Sequence, residues 1–477
     1  MARAAALDGR FGVARRKKGV ARTPYRRLAK RFDPNHLPWE RLEHFPTYRE
    51  QPAVTDGQPP TSPHDVWASS ATHSSPFVAL CAVGFLGRLS YEMMRTPLTP
   101  IYAKHLGAPD QYIGLLVAAV TITGIVVKLP AGALSDEFGF RKLMIAGALV
   151  KASGPFAYLA ALSWPILLVV RFYHGLATAI YAPPASALVA KVYPAERGYR
   201  LGLYNGAENA GVVLGPVLGG ALITLTAANF PMIFIIGGAV GILSLLAMLR
   251  VPDVRAATTP ESGQPPDHPT LTKILKKLGA GIYEIIADAQ IRLVSMVEAM
   301  LWMGIGSVQA YLPLYALTIQ LPVWEIGVLS GAQGVASVWS RPVMGRRSDH
   351  LKSRRPLIVA GSLLCIGSLI AIPYASSFFV LLALSILFGF GTGVVTPSTT
   401  AMIGDLVTKG NYGSAMGVFG SLWDTGHAGG PVVFGFLLVA FGYRTSWLIM
   451  ALVMAAALLV FLFGANRAPM DQHGGAR

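Results

Sequence analysis

The chain has only two cysteines in 477 residues, and charged side chains make up 13% of it. Each scarcity excludes something. Cys81 and Cys365 stand far apart inside apolar runs, so they offer no disulfide framework and no thiolate metal pattern, and both read as core residues. Soluble domains carry about 25% charged residues. With 13% charged and 53% hydrophobic residues, this chain is suited to lipid. No Walker motif, nucleophile elbow or metal-ligand pair is present, so neither an enzyme nor a cofactor is expected. Gly389-Phe-Gly-Thr-Gly393 superficially matches a dinucleotide loop, but it lies inside an apolar run with no strand before it and reads as packing. Acids are also scarce, 24 against 40 Lys plus Arg, for a net charge of +16. The basic excess sits in tails and alternate loops, a membrane-orientation pattern, so nucleic acid is not an expected partner.

From about Phe77 onward the chain runs in apolar stretches of roughly twenty residues, enough for a helix to span a bilayer. The expected spans are 77–102, 111–134, 142–163, 165–190, 200–226 and 230–250, then 291–318, 324–346, 355–374, 377–404, 412–440 and 443–464. The resulting organisation is a basic disordered tail over 1–75, a six-helix half over 76–250, a linker over 251–290, a second six-helix half over 291–465 and a tail over 466–477. The first tail lacks the apolar region of a secretory signal. It reads as a cytosolic segment able to touch anionic lipid, with an organelle transit peptide and an over-extended start as the alternatives. In the linker, Leu271, Ile274, Leu275, Leu278, Ile282 and Ile285 share one helical face and Lys273, Lys276 and Lys277 lie off it, the pattern of an amphipathic tether on the membrane surface. Basic loops at 141–142, 191–200, 250–277 and 346–355 fall on one side, while loops at 163–165, 227–229 and 375–377 carry no charge. Both termini are therefore expected in the cytosol, with the protein in the plasma (inner) membrane.

The second set of spans repeats the first. Pro100-Ile-Tyr matches Pro313-Leu-Tyr, Tyr112-Ile-Gly matches Glu325-Ile-Gly, and Gly132 and Asp136 match Gly345 and Asp349, all at a shift of 213. Gly202, Gly211, Gly215 and Pro216 match Gly417, Gly426, Gly430 and Pro431 at a shift of 215. Two similar halves imply a pathway between them.

The fifth span, around Gly202 to Gly220, holds the densest pattern. Gly211, Gly215 and Gly219 form a bare face that lets another backbone approach, and Pro216 bends the helix. This glycine–proline spacing resembles the antiporter signature of the major facilitator superfamily. Gly132 to Lys142, GALSDEFGFRK, resembles that family's loop motif between helices 2 and 3, with a reduced copy from Gly345 to Arg355. The resemblance implies that Asp136 and Asp349 latch the outward-open state, with Arg141 part of the same motif. Glu137 and Phe140 depart from the family's basic residues. In the fourth span, Arg171-Phe-Tyr-His174-Gly175 resembles a family motif whose arginine is associated with proton transfer, with His174 in place of glutamine.

In the first span Arg88, Glu92 and Arg95 line one face. Pro97 and Pro100 follow, as in the kinked proline pair of drug antiporters. Glu92 lies roughly 22 Å along the helix from Phe77. Burial favours the neutral acid and guanidinium neighbours favour the carboxylate, a balance that suits a proton carrier. Arg171 is its expected partner across the pathway. Asp424 and His427, three apart in the eleventh span, rank next. Lys151, Glu208 and Glu298 are further ionisable residues within spans, the latter two read as interfacial. Lys128 and Arg341 match across the repeat and read as snorkelling or gating residues. Tyr91, Trp302, Tyr311, Tyr315 and Trp423 are candidates for an aromatic pocket.

The expectation is an all-α integral membrane protein of twelve helices, in two six-helix halves related by pseudo-two-fold symmetry. It is a monomer in the lipid bilayer that exports a small organic molecule in exchange for protons. Positive charge along the pathway makes an anionic or zwitterionic amphiphile the expected substrate class. An importer on the same fold, and a transport-inactive sensor or scaffold acting through its tail, are the alternatives.

Overall fold

The computed structural model describes residues 76–253, 279, 282–283, 285–351, 353–407 and 412–465, without the side chains of 129–138, 349–350, 412–414 and 465. Both tails and most of the predicted linker helix lie outside the described residues. The helices are α1 (Pro76–His105), α2 (Asp110–Phe138), α3 (Phe140–Ala157), α4 (Trp164–Val192), α5 (Arg197–Leu225), α6 (Phe230–Leu249), α7 (Ala289–Thr318), α8 (Val323–His350), α9 (Arg355–Ala371) and α10 (Phe378–Leu406). Helices α11 and α12 share the stretch Tyr412–Ala465, which is 54 residues long. At 1.5 Å per residue that is about 80 Å, against a hydrocarbon core of about 30 Å. Gly442 divides it with a non-helical φ of 72°. No strand occurs among the described residues.

Local chemistry sets several of these ends. The Asp288 side chain accepts from the backbone N–H of Gln290 at 2.7 Å and Ile291 at 3.0 Å and so starts α7. Asn229 does the same for α6 through Met232, helped by Pro231 at a position whose N–H has no helical partner. Helix α1 is interrupted over 94–97, where Pro97 follows Thr96, so the proline pair read from the sequence falls at and just after a real break. Among the described residues, ten stretches are apolar enough to cross a bilayer, with Ala415–Gly464 taken as one of them. Helix α8 fails on composition because Gln333, Ser337, Ser340 and its basic end dilute it, yet it packs against α5 and α10.

Packing follows the repeat. In the first half α1 lies on α5 and α6, and α4 lies on α2 and α3. In the second half α7 lies on α11, and α10 lies on α8 and α9. The halves meet along α2–α11 and α5–α8, and the repeat exchanges these two seams, because α2 corresponds to α8 and α5 to α11.

The seams are closest at the end remote from the basic loops. A Cβ added at Gly327 of α8 would fall 2.6 Å from the Pro216 carbonyl oxygen of α5. In the other seam Gly114 of α2 stands in the same relation to the Pro431 carbonyl of α11. Gly114 and Gly327 correspond in the repeat, as do the two prolines, so one contact is made twice. Tyr311 reinforces the α2 side: its hydroxyl accepts from Gly114 N–H at 2.9 Å and donates to the Asp110 carbonyl at 3.0 Å. Toward the basic-loop end the close contacts run out, and a Cβ at Gly202, Gly206, Gly345, Gly417 or Gly420 would meet nothing within 4 Å.

Candidate functional site

The glycine face of α5 packs on α1. Added Cβ atoms would fall 2.7 Å from the Phe85 carbonyl oxygen at Gly211, 2.5 Å from Glu92 Cβ at Gly215 and 2.9 Å from the Met93 carbonyl oxygen at Gly219. In the second half Gly426 and Gly430 of α11 press on Ala299 and Met303 of α7 in the same way. The seam read from the sequence thus seats α1 and α7 against the two helices that reach the opposite half. On α1 it does so directly behind Glu92.

A cavity of about 440 Å³ lies between the halves. Its two facing walls differ in character. Helix α1 contributes Arg88, Tyr91, Glu92, Arg95 and Thr96, while its repeat counterpart α7 contributes Trp302, Ile305, Val308, Gln309 and Leu312. Glu92 and Arg95 correspond by position to Ile305 and Val308. One wall is therefore charged and the other apolar and aromatic. Trp302 stacks on Trp423 with ring centroids 5.6 Å apart and meets His427 edge-on at 5.6 Å.

Glu92 is 4% exposed. Its Oε1 lies 3.0 Å from Arg88 Nη2 and 3.5 Å from Arg95 Nη1. These are charge contacts, because Glu92 Oε1 and Arg95 Nε are buried without an aligned hydrogen bond among the described residues. The other face of Arg95 reaches across to α11, where its Nη2 is 3.1 Å from His427 Nε2. One turn away, Lys128 of α2 pairs with Asp424 of α11 at 2.5 Å, again across the halves. Both members are partly exposed, so the pair contributes at most about 1 kcal/mol. Arg341 lines the cavity with a single weak hydrogen bond, 3.4 Å to Ser337 Oγ, and no ion pair among the described residues. Four cations, Arg88, Arg95, Lys128 and Arg341, thus face two acids, Glu92 and Asp424, and the lining is net positive.

Several sequence expectations are revised. Arg171 is fully buried but does not pair with Glu92. Its guanidinium donates to the Leu116 and Val117 carbonyls at 3.0 and 3.3 Å and to the Tyr158 hydroxyl at 3.1 Å, tying α4 to α2 outside the cavity. Burial satisfied by carbonyls explains how an arginine sits in an apolar helix without an acid. Glu298 is not interfacial: it is 0% exposed and accepts from Trp302 Nε1 at 3.0 Å and Thr399 Oγ1 at 2.7 Å. Lys128 and Arg341 do not snorkel away but line the cavity. Arg141 acts within its own half, donating to the Val251 carbonyl at 2.7 Å and to the Leu249 carbonyl at the end of α6 at 3.3 Å, where a cation complements the helix dipole. Gly345 faces open space, while the surroundings of Gly132 and the side chains of Asp136 and Asp349 lie outside the described residues, and the expected latch lies there with them. The sequence reading missed Gln309, Gln333 and Asn209, all on the cavity. An uncharged amide inside an apolar run was the available signal.

Comparison with known proteins places this architecture. The family model for the Major Facilitator Superfamily matches residues 80–372 and 294–477. An uncharacterized MFS-type transporter of Methanocaldococcus jannaschii is 23% identical over 363 residues, covering 76% of this chain and 88% of that one. The quinolone resistance protein NorA of Staphylococcus aureus is 22% identical over 380 residues, covering 79% and 93%. Among solved structures, the nucleoside transporter NupG has a TM-score of 0.69 at 13% identity, covering 83% of this chain and 100% of that one. A bacterial homolog of the human lysosomal transporter Spinster, inward-facing and occupied, has a TM-score of 0.67 at 16% identity, covering 84% and 98%. A family match over most of the length, on two six-helix halves around a central cavity, makes this chain a multi-pass transporter, not an enzyme, that belongs to the major facilitator superfamily.

Proposed function

We propose that the protein exports a small anionic or zwitterionic amphiphile from the cytosol in exchange for protons, with Glu92 as the principal proton carrier. The observation that carries this reading is the unlike pair of walls around one cavity. The Arg88–Glu92–Arg95 face of α1 suits a charged head, and the Trp302–Ile305–Val308 face of α7 suits an apolar or aromatic body. Net positive lining favours an anion, and Coulomb attraction grows as water is excluded. Arg341 is the cation best placed to hold it, because the acids of the cavity are taken by Arg88, Arg95 and Lys128. The glycine–proline seam behind Glu92 and the similarity to NorA, a quinolone resistance protein, support export over import.

In this reading the basic-loop end is cytosolic, both termini lie there, and the described conformation opens inward. Protonation of Glu92 removes the charge that holds Arg88 and Arg95, and deprotonation restores it. For exchange, proton and substrate must occupy the site in turn: the cationic group of a zwitterion competes with the proton for the Glu92 carboxylate, while Arg341 holds its anionic head. The test is a panel of amphiphilic anions, zwitterions and quaternary ammonium compounds scored by thermal shift in detergent, since a ligand that binds the folded state stabilises it by mass action. Hits are then followed by flux into proteoliposomes under an imposed pH gradient. Anion or zwitterion binding with uphill, proton-driven flux is expected. Selective binding of quaternary ammonium compounds, or flux down the proton gradient together with the substrate, would overturn it.

A further inference from the structure

His427 is the most highly connected polar side chain of the cavity, and Glu92 chemistry leaves it unused. It is 5% exposed on α11 and touches three other helices. Its Nε2 is 3.1 Å from Arg95 Nη2 of α1 and 3.0 Å from Gln309 Oε1 of α7, and its Nδ1 is 3.0 Å from Thr121 Oγ1 of α2. Two of these helices belong to the opposite half.

With the Gln309 oxygen facing it, Nε2 cannot serve both of its neighbours in one tautomer. Arginine is only a donor, so the contact with Arg95 requires a lone pair on Nε2. The contact with the Gln309 oxygen requires a proton on the same atom. Neutral His427 with its proton on Nδ1 accepts from Arg95 and donates to Thr121, and the Gln309 amide turns to present its NH₂. Protonated His427 donates from Nε2 to the Gln309 oxygen, and Arg95 then faces an N–H of like charge and is repelled.

We propose that His427 is a coupling residue that switches Arg95 between the halves. Neutral, it holds Arg95 and ties α1 to α11. Protonated at Nε2, it passes to Gln309 within its own half and releases Arg95 to Glu92, 3.5 Å away on the same helix. The inference deepens the proton-coupled reading of this cavity and rests on it. The charged and titratable groups around the switch are Arg88, Glu92 and Arg95 from α1, Lys128 from α2 and Asp424 from α11, while α7 presents only Trp302 and Gln309. Three cations surround the ring and the nearest acids are engaged by them, so a proton on His427 favours separation of α1 and α2 from α11. Loss of that proton favours their approach. Arg95 is the shared element: its Nη2 meets His427 at 3.1 Å while its Nη1 stands 3.5 Å from Glu92, so moving it toward either weakens the other contact, which links one proton site in each half.

The switch is testable without a substrate. In a cysteine-free background, spin labels at Arg197 and Leu351, exposed residues at the basic-loop end of the two halves, report the distance between halves by double electron–electron resonance in lipid nanodiscs. The wild-type distance distribution is expected to change as the pH is lowered from 8 to 4, because the three cations facing the ring oppose its proton until the halves separate. His427→Gln, which offers Arg95 a permanent acceptor and cannot take a proton, should show one distribution across that range. Gln309→Leu removes the acceptor that the protonated ring needs and should move the midpoint at least tenfold in proton concentration toward acid. A wild-type distribution that does not change with pH overturns the switch, and so does an unmoved midpoint in both variants. If the titration and its loss are seen but no compound is driven uphill by a pH gradient, the switch stands and the export reading fails.

Discussion

Gly215 offers the most direct test of how the seam serves the site. An alanine there would put its Cβ 2.5 Å from Glu92 Cβ, 3.0 Å from the Glu92 carbonyl carbon and 3.1 Å from Met93 N. Carbon atoms pack at about 3.5–4.0 Å, so α1 and α5 must separate by about 1 Å locally. None of the three contacts is the far end of a flexible side chain, so the strain falls on backbone. Overpacking of this kind costs about 1–3 kcal/mol, set against roughly 1 kcal/mol gained by alanine over glycine in a helix. Gly202→Ala, on the same helix, has no neighbour within 4 Å and keeps only the gain. Thermal unfolding in detergent should therefore separate the two variants by about 1–3 kcal/mol, with Gly202→Ala at or above wild type. Because the displaced residue is Glu92, Gly215→Ala should also lose proton-driven flux. Gly430→Ala, which meets the Met303 carbonyl, should be similarly unstable. Equal stability of Gly215→Ala and Gly202→Ala would refute the close-contact argument outright.

Other expectations follow from single contacts. Glu92→Gln should insert and bind ligand yet lose accumulation under a pH gradient, whereas Asp424→Asn, which unpairs a half-exposed lysine, should be milder; uphill pumping by Glu92→Gln with wild-type pH dependence would move the proton path elsewhere. Arg171→Lys cannot reach two carbonyls and a hydroxyl at once and should destabilise by about 2–3 kcal/mol, read by thermal unfolding, with ligand affinity unchanged. Tyr311→Phe removes the hydroxyl that joins Gly114 and Asp110 to α7, so labels at the end remote from the basic loops should report a more open population.

Periodicity and repetition made the fold legible. Apolar runs marked the helices, and the 213–215 shift paired α2 with α8 and α5 with α11 before any contact was known. The Arg88–Glu92–Arg95 cluster was equally legible, because residues four and three apart share a helical face whatever surrounds it. Contacts between distant helices were not. Lys128 meets Asp424 across 296 residues, and nothing in either segment encodes the rotation that turns them together. Arg171 misled for the reverse reason: a motif attached a role to the residue type, while the partners that satisfy it are backbone carbonyls, which every sequence contains. Glu298 hides because the groups that bury it, Trp302 one turn on and Thr399 a hundred residues away, read as ordinary apolar-helix residues.

The Pro216–Gly327 and Pro431–Gly114 contacts have a consequence for how such a chain can diverge. Both are backbone against backbone, and both lie at the narrow end of the pathway. The seal there does not depend on which side chains line the chamber below it. On the proposed reading of the cavity, residues such as Trp302, Gln309 or Arg341 can be exchanged to alter what is carried while these backbone contacts stay intact. The duplication adds a second property: the same pair of positions closes both seams. Cargo and barrier are thus separable traits, held on different atoms of the same helices.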